Sequence, residues 1–261
     1  MASDRPSISS LRRASVDELV MWARENLDLQ VIRGAVRASP EKALMEGRGK
    51  WLRDHSKYGM IKFFAGGAEW LVYAPLAMQT SAQMKRIMAG YSHDQFPIEY
   101  QFDDMEPYVA DRIVDFWNSL KVHVHAKKRL EHNTAAPNNP AEADVTQTMT
   151  TIETVIEITA ASDDLQDDSL RQATLGKLRH YLTEANWSPD ELLDPLSRMY
   201  SIEGSPHFFR GIRKALLSAF VLNYVEVSSG ENAKRCKEIL YSNKDLLGDF
   251  SKGMAYLQKL G

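Results

Sequence analysis

Short runs of apolar and polar residues predict strands in the first half of the chain. Met60–Phe64 and Glu69–Tyr73 are rich in aromatic and β-branched residues, which favour strands. The connection between them, 65–68, contains two glycines, and glycine readily adopts the positive φ that a hairpin turn needs. Ile98–Phe102 alternates apolar and polar residues and predicts a third strand. Residues 122–125, Val-His-Val-His, predict a weak fourth strand.

Elsewhere the apolar residues recur with a helical period of three to four. The predicted helical stripes lie at 76–88, 109–117, 149–159 and repeatedly after residue 169. Gly90 follows the first stripe and is a favourable residue just after a helix. Ser188–Glu191 has the residues of a capping box, with proline at the first helical position. The pattern therefore predicts an α+β region followed by an all-α half.

Two segments lack any hydrophobic period. Residues 1–14 are rich in serine and arginine, and residues 126–144 contain prolines and asparagines that disfavour both helix and sheet. We therefore predict three parts. An N-terminal extension, 1–55, is partly disordered and then helical; a domain at 56–165 carries a loop insertion at 126–144; a helical C-terminal extension occupies 166–261.

Composition and charge narrow the class of protein. The 261 residues are 44% hydrophobic, enough for a core and against wholesale disorder. Lys+Arg 32 against Asp+Glu 35 gives a net charge of −3, which argues against nucleic acid or an anionic membrane as partner. Cys236 is the only cysteine, so no intrachain disulfide forms. No apolar run approaches the ~20 residues that span a bilayer, and 1–10 lacks a signal-peptide core. We expect an intracellular protein, in the nucleus, the cytoplasm or both.

No set of residues predicts catalysis, a cofactor or a metal. The sequence has no phosphate-binding glycine loop and no nucleophile elbow. Cys236 lies on an apolar helix stripe, which is typical of a small core residue. His123 and His125 would share one face of a strand, but no further ligand is fixed, even with His132. The aspartates within 163–168 are expected to stay hydrated and to favour the N-terminus of the next helix. We expect no enzyme.

Ser15 is a candidate phosphosite. The segment Leu-Arg-Arg-Ala-Ser-Val, 11–16, places two arginines before Ser15 and an apolar residue after it, the pattern of basophilic kinase substrates. A phosphate would add about two negative charges close to Arg12 and Arg13. Alternatively, Ser15 and Glu18 form a capping box that opens a helix. Both interpretations can hold, because a phosphate at a helix N-terminus is favourable.

Three segments between residues 60 and 118 share an order of features with a known family. MIKFFAGGAEWLVYAPLAMQTSAQMKRIMAG contains a hairpin and a helix bearing Ser81, IEYQF is a strand, and DDMEPYVADRIVDFW leads from an acidic turn into a helix closing with Phe116 and Trp117. In this order they resemble a BTB/POZ domain of the elongin C type. Residues 154–182 and 187–257 are similar to the helical segments that follow the domain in fungal BTB proteins.

The resemblance implies a fold and a function. The fold is α+β, a BTB/POZ-like small sheet with flanking helices at 56–165 and a helical extension at 166–261. The function is a non-enzymatic protein–protein interaction module that forms a homodimer or recruits a protein partner. In that family the region ahead of the first strand commonly forms the dimer face.

The residues of this expected partner surface are Trp51, Leu52, Tyr58 and Met60, because aromatic and methionine side chains suit the core of an interface. In a monomer the same four would instead cover the hairpin. Two other functions stay open. One is an adaptor that links a cullin-type ubiquitin ligase to a substrate receptor. The other is a chromatin-associated scaffold that uses the basic residues 127–129.

Overall fold

A computed structural model describes most of the chain. The described residues are 16–34, 41–92, 95–102, 105–124, 150–184, 187–202 and 207–260. Several predicted features lie outside them: the segment 1–14, the candidate phosphosite Ser15, the loop 126–144 with its basic residues 127–129, and His125 and His132. These predictions stay predictions.

The described residues contain helices and one small three-stranded sheet. The helices are α1 (Val16–Asn26), α2 (Leu29–Ile32), α3 (Glu41–Asp54), α4 (Ala74–Thr80), α5 (Ala82–Met88), α6 (Pro107–Ser119), α7 (Thr151–Asp164), α8 (Asp168–Thr183), α9 (Pro189–Ser201), α10 (Arg210–Leu222), α11 (Tyr224–Val227), α12 (Asn232–Ser242) and α13 (Lys244–Leu260). The strands are β1 (Met60–Ala65), β2 (Ala68–Tyr73) and β3 (Ile98–Gln101), and His207–Phe209 is a short 3-10 helix. The predicted α+β class is confirmed at this level.

The chain divides into two compact units. Unit 2 is residues 45–170 and contains the sheet, whereas unit 1 combines 1–44 with 171–261. In unit 1, α1 packs against α13 and α2 packs against α10. α1 and α2 of the N-terminal extension therefore share a core with helices of the predicted C-terminal extension, although the two segments are far apart in sequence. Most of α3, the third helix of that extension, belongs to unit 2 instead.

The sheet of unit 2 has the strand order β2-β1-β3. β1 and β2 are antiparallel, from Met60↔Tyr73 to Ala65↔Ala68, whereas β3 runs parallel to β1. Alternate residues of β1 are buried, so one face of the sheet packs on the helices. The predicted hairpin and third strand are confirmed.

The predicted fourth strand is wrong. Residues 121–124 have no regular secondary structure and pair with no strand of the described sheet. Val122 and Val124 are each only 3% exposed, and His123 between them is exposed. The alternation therefore reflects two valine side chains entering the core, without the neighbouring backbone that a strand needs.

The apolar stripe at 76–88 predicts one helix, but the structure has two, α4 and α5, separated at Ser81. Ser81 is extended, with φ −84° and ψ 118°. Its hydroxyl oxygen accepts from the Met84 N–H at 3.1 Å and donates to the Leu165 carbonyl at 2.6 Å. The apolar stripe continues across the break, so periodicity alone does not reveal it. The side-chain bond to the next turn is the N-cap that starts α5.

The aspartate cluster divides into one buried and several accessible residues. Asp167 is only 1% exposed, so the expectation that the whole cluster stays hydrated is wrong. Its carboxylate accepts from the Leu170 N–H at 2.9 Å, which caps the first turn of α8 as predicted. The same carboxylate accepts from Thr80 Oγ1 at 2.6 Å and Trp117 Nε1 at 3.1 Å. These donors come from two other helices, and a sequence period cannot show that they converge.

The hairpin turn provides a matched test of backbone strain. Gly66 and Gly67 have φ of 51° and 83°, where any residue with a Cβ loses about 1–2 kcal/mol. A Cβ on Gly66 would also lie 2.7 Å from Cγ of Pro107, whereas one on Gly67 meets no described atom within 4 Å. We expect Gly66→Ala to lower the unfolding free energy by about 2–3 kcal/mol and Gly67→Ala by about 1–2 kcal/mol. Urea denaturation of both variants tests this order; equal losses would show that Pro107 moves aside freely.

Candidate functional site

A row of four aromatic rings lies where α3 leads into the sheet. Trp51 stacks on His55 with ring centroids 3.5 Å apart, and His55 lies 6.3 Å from Tyr58. Tyr58 meets the edge of Phe96 at 6.2 Å. All four side chains are partly exposed. We call these four residues the aromatic row.

Two hydrogen bonds fix α3 against the rest of unit 2. Arg48, only 9% exposed, donates to the carbonyl of Trp117 in the last turn of α6. A cation is favourable there because the helix C-terminus carries partial negative charge, although burial lowers the pKa of Arg48. Trp51 Nε1 donates to the Pro75 carbonyl at 2.8 Å. The C-terminal half of α3 is therefore fixed against α6 and α4.

Gly59 allows the last ring of the row to pack. A Cβ on Gly59 would lie 2.6 Å from Cβ of Phe96 and 2.8 Å from its Cγ. The Gly59 carbonyl accepts from the Ala74 N–H at 2.9 Å, so the backbone cannot easily shift to make room. Only a residue without a Cβ lets Phe96 approach the chain here.

Two lysines lie over the rings. Lys85 Nζ is 5.3 Å from the centre of the Trp51 ring, and Lys57 Nζ is 5.1 Å from that of Tyr58. An ammonium group above a ring is attracted by the negative face of the π system. The row thus combines apolar ring edges with positive charge.

The structure brings together only part of the predicted partner surface. Trp51 and Tyr58 are both in the aromatic row. Leu52 and Met60 are partly exposed, but Leu52 lies on the helix and Met60 opens β1, and neither contributes a ring to the row. Trp22, a further aromatic residue ahead of the hairpin, belongs to unit 1, where Lys252 Nζ lies 5.7 Å above its ring.

Two members of the row are missed by the sequence prediction. His55 is four residues after Trp51, the spacing at which side chains on a helix meet, so this signal was available. Phe96 comes from a different segment, between α5 and β3. Its approach depends on the bare backbone at Gly59, and no local pattern predicts that contact.

The described residues hold no cluster of metal ligands. No three His, Cys, Asp or Glu side chains in this part of the chain are placed so that they could hold a metal ion together. Cys236 is buried, as predicted, and burial raises the pKa of its thiol, which keeps it protonated and unreactive. A hollow of about 390 Å³ lies beside the hairpin turn, and among the described residues that line it only Glu106 is titratable.

No helix in the described ranges has the length and apolar character to cross a membrane. No protein-family profile matches the sequence, and no curated protein matches it either.

Proposed function

We propose that the chain is a non-enzymatic protein–protein interaction module that self-associates or recruits a protein partner through a BTB/POZ-like domain. The observation that carries the proposal is the way unit 2 builds its sheet. A hairpin leads into a Ser81-bearing pair of helices, and a third strand then joins beside the first. A helix with Pro107 at its first position follows and closes with Phe116 and Trp117. These are the features, in the same order, on which the resemblance rests.

The aromatic row supplies the proposed contact surface. It lies directly ahead of the hairpin, where that family commonly forms its dimer face. Trp51 and His55 are held by hydrogen bonds to backbone carbonyls, and Tyr58 and Phe96 by ring contacts, so a partner would find the rings already ordered. Rigid aromatic anchors lose little conformational entropy on binding, and residues of this type dominate interface energies.

The double variant Trp51→Ala/Tyr58→Ala is expected to weaken association without unfolding the protein. An aromatic anchor at the centre of an interface commonly contributes about 2 kcal/mol, so the dissociation constant of a dimer should rise about thirtyfold. Light scattering over a concentration series measures this change. In parallel, partners captured by the wild type should be lost by the double variant.

Trp22→Ala is the matched control. Trp22 is also partly exposed and also lies beneath a lysine, but it belongs to unit 1. We expect this variant to keep the wild-type mass and the wild-type partners. If the wild type is monomeric at about 100 μM and both variants capture the same proteins, the aromatic row is intramolecular packing and the proposal is wrong.

A further inference from the structure

Unit 1 contains a small hollow with an unusual share of positive charge. It measures about 260 Å³. Its lining residues are Arg24, Leu27, Asp28, Leu29, Gln30, Arg179 and Lys214. A drug-sized ligand needs about 300–1,000 Å³, so this hollow suits one compact group.

The one carboxylate in the wall is already neutralised. Asp28 is 5% exposed. One of its carboxylate oxygens accepts from the Gln30 N–H at 3.0 Å, and the other accepts from Arg179 Nε at 2.6 Å. Asp28 therefore positions Arg179 and balances one charge. Arg179 binds this carboxylate through Nε. Among the described residues its two terminal nitrogens have no hydrogen-bond acceptor, so their four N–H groups can donate to a ligand.

The other cations of the hollow have no carboxylate partner. The Lys214 ammonium donates to the neutral carbonyl of Arg24 at 3.3 Å. Arg210, one helical turn before Lys214, likewise donates to a neutral carbonyl, that of Glu25, at 3.4 Å. Within the described part of the chain, no carboxylate oxygen lies within 4.0 Å of the Lys214 ammonium or the Arg24 guanidinium.

Burial and neighbouring cations both disfavour the charged form of Lys214. Burial and, next, repulsion from Arg210 lower the pKa of Lys214, while Asp28 and Glu25 offset part of this effect. A bound anion would stabilise the charged lysine. Arg24, Arg179 and Lys214 outnumber Asp28 in the lining of this hollow, although the net charge of the chain is −3.

We infer that this hollow binds a phosphate monoester group, with Arg24, Arg179 and Lys214 as its ligands. Arginine suits the oxygens of a phosphate because its planar fork can donate two parallel hydrogen bonds, and lysine adds a point charge. A dianion matches several cations better than a single carboxylate does. The Asp28 contact holds Arg179 ready, so little ordering is needed on binding. The inference is independent of the proposed interaction through unit 2.

Lys214→Met tests this site, with Lys237→Met as the matched control. Lys237 is an exposed lysine of the same unit, so both variants lose one charge. Inorganic phosphate is titrated into each full-length protein at constant ionic strength, and binding is followed through the backbone amide signals of Leu29 and Gln30. We expect saturable binding in the wild type, about tenfold weaker binding in Lys214→Met, and wild-type affinity in Lys237→Met. Arg24→Met, at an exposed residue, should repeat the loss if Lys214→Met folds poorly.

Two further titrants identify the anion and its source. Acetate should bind more weakly than phosphate. A phosphoserine peptide that binds more tightly than phosphate would indicate a phosphorylated protein, and one that binds no better would indicate a free phosphate compound. The inference is overturned by any of three results: no saturable shift at about 20 mM phosphate, equal losses in the Lys214 and Lys237 variants, or acetate binding as tightly as phosphate.

Discussion

Replacing Asp167 with alanine is expected to lower the unfolding free energy by about 3–5 kcal/mol. The carboxylate is buried and accepts hydrogen bonds from Thr80, Trp117 and Leu170. Without it, three donors from three helices lose their acceptor inside the protein, and each buried donor left unsatisfied costs about 1–3 kcal/mol. The side chain therefore connects α4, α6 and α8, and its loss should open unit 2 as a whole.

Two other variants make this result specific to the buried acceptor. Asp167→Asn keeps the shape and one acceptor oxygen, so its loss should be smaller, about 1–3 kcal/mol. Asp164 is mostly exposed, and partial desolvation and repulsion from Asp163 raise the pKa of its carboxyl. Asp164→Asn should change stability by less than about 0.5 kcal/mol. Hydrogen exchange over residues 45–170 measures all three. A loss below about 1 kcal/mol in Asp167→Ala would contradict the proposed role.

The stability of the wild type and that of Asp167→Asn should also depend differently on pH. Burial raises the pKa of Asp167, although the bonds from Thr80, Leu170 and Trp117 act in the opposite direction. A carboxyl with a raised pKa in the folded state stabilises the fold below its unfolded pKa of about 3.9, and this contribution is lost as the pH rises through the folded value. The wild type should therefore lose stability relative to Asp167→Asn as the pH rises above about 4 and passes through the folded pKa. The opposite slope would mean that the hydrogen bonds outweigh burial.

Asp28→Ala is expected to destabilise unit 1 by about 3–5 kcal/mol. Asp28 is buried beside Arg179, whose side chain is 20% exposed, and the pair links the α1–α2 connection to α8. Removing the carboxylate leaves an arginine that is mostly withdrawn from water without its counter-charge. The Gln30 N–H at the start of α2 loses its acceptor as well. Hydrogen exchange over 171–260 should show the loss.

Arg235→Ala is the control for the Asp28 variant. Arg235 also binds carboxylates, those of Asp190 and Asp194, but these side chains are exposed. Exposed ion pairs typically contribute about 0.2–1 kcal/mol because water and salt screen them. If Asp28→Ala and Arg235→Ala lower the unfolding free energy equally, the burial of Asp28 does not strengthen its ion pair. That result would also count against Asp28 as the residue that holds Arg179 in place.

Local patterns predicted the elements of this protein better than their connections. The hairpin was visible because strand residues flank two glycines, and the Ser188 capping box was visible because its bonds span only three residues. The break between α4 and α5 at Ser81 could not be predicted, because the apolar stripe continues across it. The hydrogen bond from the Ser81 hydroxyl that helps to fix the break goes to Leu165, which is distant in sequence. The fourth strand was predicted wrongly from Val122 and Val124. The alternation that marks a strand also arises when two side chains of an irregular segment are buried.

The candidate sites depend still more on distant contacts. Trp51 and Tyr58 could be selected from the sequence because bulky aromatic residues ahead of a hairpin suggest a surface. Phe96 could not, because its position depends on the absence of a Cβ at Gly59. The hollow of unit 1 assembles cations from α1, α8 and α10, and no spacing in the sequence relates Arg24 to Arg179 or Lys214.

The composition of unit 1 from two distant segments has a consequence for synthesis of the chain. α1 and α2 pack on α13 and α10, whose residues are translated more than 170 positions later. At about 5–20 residues per second, the first helices wait roughly 10–45 s for residue 260. Residues 45–170 are continuous and can fold in that interval. During that interval the apolar face of α1, with Leu19 and Ala23, has no packing partner from α13.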